Sequence, residues 1–172
     1  EQPAFLDLDL GGDDRWTGRH GVPQPPASRL ALALDLSGDD TWSGGTAALG
    51  CGLFGLGAVV DCAGTDTWRV EESGLGAGLF GTGVLADLGG DDTYVVKQAW
   101  GQGAGHAGVG LLLDLAGDDA YECARESQGL GSTLGAGLLI DLAGDDRYVA
   151  RDDGNVSELY LGQSVAMAQG CG

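Results

Sequence analysis

Aspartate is the residue type that offers chemistry in this chain, and it recurs by rule. The pattern D-x-x-G-x-D-x-[WY] opens at Asp9, Asp35, Asp61, Asp87, Asp114 and Asp141, at intervals of 26, 26, 26, 27 and 27 residues. Its first position supplies those six carboxylates, and its sixth supplies Asp14, Asp40, Asp66, Asp92, Asp119 and Asp146. With the fifth position added, the pattern holds 17 of the 26 acidic residues. Such carboxylates, with turn carbonyls, are the hard oxygen ligands that calcium prefers. Nitrogen and sulfur ligation is poorly supplied, since the imidazoles are His20 and His106 and no C-x-x-C pair exists. Gly50, Gly52 and Gly55, and again Gly103, Gly105 and Gly108, spell G-x-G-x-x-G. A dinucleotide site needs a helix after that signature, and the pattern here continues into another strand and an Asp turn. With no G-x-S-x-G elbow either, the expectation is a protein that is not an enzyme.

A fixed period near 26 residues is the signature of a solenoid, each copy forming one coil stacked on the last. The residues one, three and five before the first Asp are mostly apolar, as in Val109, Leu111 and Leu113, and the residue after it continues the series. That period of two predicts a β-strand with one buried face, taken to be the leucine face. Gly12, Gly38, Gly64, Gly90, Gly117 and Gly144 then mark a turn. After the turn, an aromatic residue and a small residue two apart predict a second strand with both facing inward. Upstream, a glycine rhythm such as Gly76, Gly78, Gly81 and Gly83 reads as two short strands meeting at a corner. The fold class expected is all-β: a single β-solenoid domain over residues 1–172, parallel β-helix-like, of about six coils with about three strands each. Coils stacked about 4.8 Å apart make a rod of roughly 30 Å.

Stacking would set the aspartates in vertical ladders, where adjacent unit charges about 4.8 Å apart repel by roughly 3.5 kcal/mol at an effective dielectric of ~20. Calcium on Asp9, Asp14, Asp35, Asp40, Asp61, Asp66, Asp87, Asp92, Asp114, Asp119, Asp141 and Asp146 would relieve that repulsion. The competing reading is a set of Asx turns in which each carboxylate caps its own backbone, with monovalent salt screening the remainder.

Gly117, Asp119 and Tyr121, like Gly38, Asp40 and Trp42 and the other four copies, form G-x-D-x-U with U apolar. This half-motif resembles the calcium-binding nonapeptide repeats of RTX proteins, whose consensus is G-G-x-G-x-D-x-U-x. The resemblance implies that Asp14, Asp40, Asp66, Asp92, Asp119 and Asp146 ligate ions between successive turns and that the aromatic points inward. It covers the half-motif alone, because the leading glycines are here Asp and usually Leu. Glycine-rich bacterial surface solenoids are similar in outline.

Other features speak to partners. Gly57, Gly83, Gly110 and Gly137 are expected to face outward as a side-chain-free strip for lateral contact. Arg15 to Arg29, with Pro23, Pro25 and Pro26, and Arg151 to Leu161 read as loops leaving the rod. The last segment, Leu161 to Gly172, resembles the start of another coil, so the chain is expected to be a piece of a longer solenoid or to meet a partner through open ends. Cys62 and Cys123 are expected inward and too far apart to bridge, while Cys51 and Cys62 could face each other across one coil. A net charge of −18 disfavours nucleic acid and anionic lipid, and no apolar run approaches a membrane span.

These observations suit a secreted, cell-surface or envelope location and a structural or interaction module stiffened by calcium, with a protein partner or a further copy of itself. The alternative is a carbohydrate-binding or lyase-like solenoid, in which Arg69, Arg125 and Arg147 would serve. An ice-binding face is less well matched, since Thr41, Thr67 and Thr93 share a position that Ala120 and Arg147 break.

Overall fold

The computed structural model describes residues 6–151, and they form a β-solenoid of about six turns and no helix. The first sheet joins β1 (Leu6–Leu8), β3 (Leu30–Leu34), β6 (Leu56–Asp61), β9 (Thr82–Asp87), β12 (Val109–Asp114) and β15 (Ala136–Asp141) in that order. The second joins β2 (Arg15–Thr17), β4 (Thr41–Ala48), β7 (Thr67–Gly74), β10 (Thr93–Val96), β13 (Ala120–Cys123) and β16 (Arg147–Ala150). A narrow third sheet joins β5 (Gly52–Leu53), β8 (Gly78–Leu79), β11 (Gly105–His106) and β14 (Gly131–Ser132). Every pairing between these strands is parallel and in register with the repeat, so Asp61, Asp87, Asp114 and Asp141 stand in one column.

Like stacks on like inside the coil. Trp42, Trp68, Tyr94 and Tyr121 are fully buried and stacked with Trp16 and Tyr148 at the two ends of the row. Ring centroids are 4.5 to 4.8 Å apart except at Trp68–Tyr94, where the ring type changes and the gap widens to 6.3 Å. The inward aromatic row agrees with the alternation in the sequence.

The leucine face does not. In the first sheet the inward residues are Ala33, Val59, Leu85 and Leu112, two before the aspartate, together with the aspartate itself. The more apolar columns, such as Leu30, Leu56 and Val109, point outward. The parity is inverted because the carboxylates belong inside, and residues an even number away must follow them. Gly57, Gly83, Gly110 and Gly137 therefore face inward, so the outward glycine strip is not formed. Their side-chain-free surface admits the chain at the corner: a Cβ on Gly83 would lie 2.1 Å from the Ala77 carbonyl oxygen, and one on Gly110 would lie 2.2 Å from that of Ala104.

Cys62 also turns outward, half-buried on the apolar face, while Cys51 and Cys123 are buried, and all three are free thiols. The proline segment leaves the rod only in part. β2 is paired, and Gly21, Val22 and Pro23 are buried, Val22 packing with Ala47 and Cys51. The expected insertion beyond Arg151 and the expected seventh coil lie outside the described residues.

The turn glycines are required by close approach of neighbouring coils. A Cβ on Gly90 would lie 1.5 Å from the Gly64 carbonyl oxygen, whereas one on Gly45 meets nothing within 4 Å. Gly90→Ala should lower stability by at least ~2 kcal/mol, and Gly45→Ala should stay within about 0.5 kcal/mol of the parent, measured by urea unfolding.

Candidate metal centre

Each coil brings two carboxylates to one inner corner. The first-position Asp ends a strand of the first sheet, the sixth-position Asp precedes a strand of the second, and the turn between folds both over the aromatic row. Asp35, Asp61, Asp87 and Asp114 are fully buried, and Asp40, Asp66, Asp92 and Asp119 are at most 2% exposed.

One oxygen of each serves the backbone. Oδ1 of the first Asp accepts the N–H two residues on, at 3.1 Å for Ser37 on Asp35 and 3.2 Å for Gly89 on Asp87. Oδ1 of the sixth Asp accepts the N–H of its counterpart in the preceding coil, at 2.6 Å for Asp40 on Asp66 and 2.7 Å for Asp92 on Asp119. The exposed fifth-position residues run a ladder the other way, Asp145 N–H donating to Asp118 Oδ1 at 2.9 Å. The Asx-turn reading thus describes one oxygen of each first-position carboxylate, whereas the corresponding oxygen at the sixth position links successive coils.

Carboxylate oxygens of successive coils also converge. Groups of ligand atoms mutually within 4.8 Å come from Asp35, Asp40 and Asp61; from Asp61, Asp66 and Asp87; from Asp87, Asp92 and Asp114; and from Asp114, Asp119 and Asp141. That spacing admits one cation with oxygens at 2.3–2.6 Å. Oδ2 of Asp40, Asp61, Asp66 and Asp119 is buried with no hydrogen-bond partner. Nine of the twelve aspartates expected as ligands enter these groups. Asp9, Asp14 and Asp146 stand at the two ends of the described coils, outside them, with Asp14 exposed.

The aromatic row takes part through its polar tips, a role that sequence reasoning missed. Trp16 Nε1 donates to Asp35 Oδ2 at 3.2 Å, and Tyr148 Oη donates to Asp141 Oδ2 at 2.6 Å. Tyr94 Oη lies 2.9 Å from Asp87 Oδ2 and 2.6 Å from Asp114 Oδ2. One phenol proton can serve only one of them, so the second contact calls for a proton on a carboxyl group. The Trp-to-Tyr switch seven residues after the first Asp was the available signal. Gln102 was missed as well; it is fully buried and donates from Nε2 to the Tyr94 and Glu122 carbonyls.

Burial is the main cause of an upward shift in the carboxyl pKa of Asp40, Asp61, Asp66, Asp87, Asp92 and Asp119, and neighbouring carboxylates add to it. Asp61 is pushed up to about 8, with Asp66 and Asp87 beside it, and Asp92 to about 9, with Asp87 beside it. Asp66 and Asp119 rise to about 7 and Asp40 to about 6, each held back in part by the backbone N–H it accepts. These shifts and the two short Tyr94 contacts both favour protons on some of the interior carboxyl groups. Two interior carboxylates per coil carry two negative charges, which one divalent cation per coil would balance.

Elsewhere, His20 Nδ1 pairs with Asp7 Oδ2 at 2.8 Å. Arg69 and Arg147 lie on the outward side of the second sheet, away from the interior carboxylates, and Arg147 faces Glu122 at 3.7 Å. An external cleft of about 290 Å³ is lined by Leu53, Phe54, Leu79, Phe80, Trp100 and His106.

A raised folded-state pKa means that the folded chain binds more protons than the unfolded one between about pH 4 and the shifted value. Stability is then full below pH 4 and falls as pH rises through the folded values. In excess EDTA the melting temperature should therefore fall steadily from pH 5 to pH 9, read by circular dichroism; a flat or rising profile would show the column to be already charged.

No family model, curated protein or solved structure matches this chain.

Proposed function

We propose that this chain is a non-enzymatic structural and interaction module that works outside the cell, and that its interior aspartate column takes up divalent cations, calcium foremost. The observation carrying this reading is the set of buried, unpartnered Oδ2 atoms on Asp40, Asp61, Asp66 and Asp119, each on a residue of the three-carboxylate groups. Unpaired carboxylate oxygens in a closed interior are costly, and a cation removes the cost at each coil at once. The donor set is all oxygen, which suits a hard ion and not zinc or copper. The G-x-D-x-U resemblance to RTX repeats points to the same ion. Millimolar calcium outside cells would fill even sites of modest affinity. Loaded with ions, the rod keeps its shape and presents fixed surfaces to a protein partner or to another copy of the chain.

A carbohydrate-binding reading has one observation in its favour, the external aromatic cleft. It is the weaker reading, because Phe54 and Phe80 stack on each other at 5.2 Å and His106 lies edge-on to Phe80 and Trp100. Phe54 is 58% and Phe80 54% exposed, but the cleft is lined mainly by apolar side chains, and a sugar needs hydrogen-bonding groups beside the ring it stacks on.

Asp61 is the decisive position, since it belongs to two of the groups while its Oδ1 accepts the Ala63 N–H at 3.1 Å. Asn keeps that hydrogen bond and removes the charge. At pH 8 and fixed ionic strength, calcium at about 100 times its Kd should raise the wild-type melting temperature by about 5–10 °C per site. Asp61→Asn should show a clearly smaller rise with calcium, yet melt at or above wild type in EDTA. A wild type indifferent to calcium, with Asp61→Asn more stable under both conditions, would leave the aspartates as proton-sharing turn formers.

A further inference from the structure

The outward face of the first sheet has no cover among the described residues. Four columns face out on each strand and its following turn: the residues five, three and one before the first Asp, and the residue after it. Every described residue in them is apolar except Thr82, and none is charged. Leu30 and Leu56 are each 40% exposed, Val109 42% and Leu138 44%. Register keeps the columns straight, with Leu32, Ala58, Val84, Leu111 and Leu138 in line across five strands. In a chain of net charge −18, a charge-free face of this extent is the exception on the surface.

We propose that this leucine face is a self-association surface, on which a second copy of the chain packs face to face as the other half of a β-sandwich. Six strands at about 4.8 Å and about 20 Å of strand give a patch of roughly 500 Å² in projection. Two such faces together cover at least ~1,000 Å², the floor that a specific interface has to clear. A patch of that size is also at the upper end of what a monomer leaves exposed. Flat sheets with regular apolar rows are self-complementary, packing ~10 Å apart at a shallow angle about a two-fold axis.

Charge points the same way. The described acidic residues lie in the turns, in the interior and on the second sheet, so a basic partner would be drawn to those surfaces and not to this face. An anionic bilayer would be repelled by the chain as a whole. A second copy meets neither objection at the face itself, and its long-range repulsion weakens with salt.

The full chain, 17.3 kDa, is tested by sedimentation equilibrium from about 1 to 100 µM in 0.15 M and 0.5 M NaCl. The expected result is a mass twice that of the chain, with a tighter dimer at the higher salt. Val84→Glu/Leu111→Glu should weaken the dimer at least ~100-fold with an unchanged circular dichroism spectrum, because like charges would meet at the centre of the interface. Should that pair unfold, Leu138→Glu, nearer the rim, replaces it. In the wild-type dimer Cys62 should be alkylated more slowly than in the dissociated variant, since it lies on the face.

A monomeric wild type at 100 µM overturns the proposal. So does a dimer indifferent to the glutamates, or a mass well above two copies, which would point to the ends of the rod. A monomer that floats with vesicles of neutral phosphatidylcholine would assign the face to lipid. The readout is mass, so it stands or falls separately from the calcium response.

Discussion

Parallel, in-register stacking is the constraint on which everything else in this molecule depends. A residue placed inside one coil has its own counterparts directly above and below it, about 4.8 Å away. For tryptophan and tyrosine that repetition is favourable, adding about 0.5–1.5 kcal/mol per stacked pair beyond burial. For aspartate it is the reverse, since each buried carboxylate then has two like neighbours along the column and another across the corner. The coil tolerates them because Oδ1 of each closes a backbone hydrogen bond that the sharp D-x-x-G-x-D turn would otherwise leave open. What remains is the second oxygen, and the chemistry of the interior is the chemistry of neutralising it.

The two halves of the rod meet that demand differently. Where tyrosine stands, the Tyr94 and Tyr148 hydroxyls reach Oδ2 of Asp87, Asp114 and Asp141 directly, while the buried Tyr121 hydroxyl and Asp119 Oδ2 have no partner. Where tryptophan stands, the indole is less well aimed: Trp42 and Trp68 leave Nε1 without a partner, and Oδ2 of Asp61 and Asp66 is left in the same state. Only Trp16, in the more open first coil, completes the bond, to Asp35. The tryptophan half therefore depends more on a cation or shared protons, and the tyrosine half is partly self-satisfied. The 6.3 Å gap between Trp68 and Tyr94 is the seam between the two solutions.

Much of this architecture is legible in the residues themselves. The repeat dictates the solenoid, the period of two dictates strands, and the aromatic and the small residue two later share one buried face, as Trp68 and Val70 do. The first sheet misleads for a physical reason. An alternating strand offers two faces, and hydropathy assigns the leucines to the inside because burying carboxylates is costly. Here the turn needs Asp61 and its equivalents inside, so Val59, Leu85 and Leu112 follow them and the richer apolar columns are left out. Nor does a glycine reveal, in sequence, whether it faces a partner or a carbonyl of its own coil. At Gly83 the Ala77 carbonyl decides it.

The inverted strand links the interior to the surface. A coil of 26 or 27 residues encloses a narrow space, and two carboxylates, one aromatic ring, a few aliphatic side chains such as Val59, Val70 and Leu75, and the glycine corner already fill it. Apolar side chains in the first sheet beyond Val59 or Leu85 have no room inside, whatever their hydropathy. Four outward apolar columns cannot be hidden by any rearrangement of the same coil, because turning the strand over would expel the aspartates and open the corner they close. The same geometry that commits the carboxylates to the core commits the leucines to the surface, where no part of the same coil can cover them. The buried carboxylate column within and the apolar face without are two consequences of a single choice of strand parity.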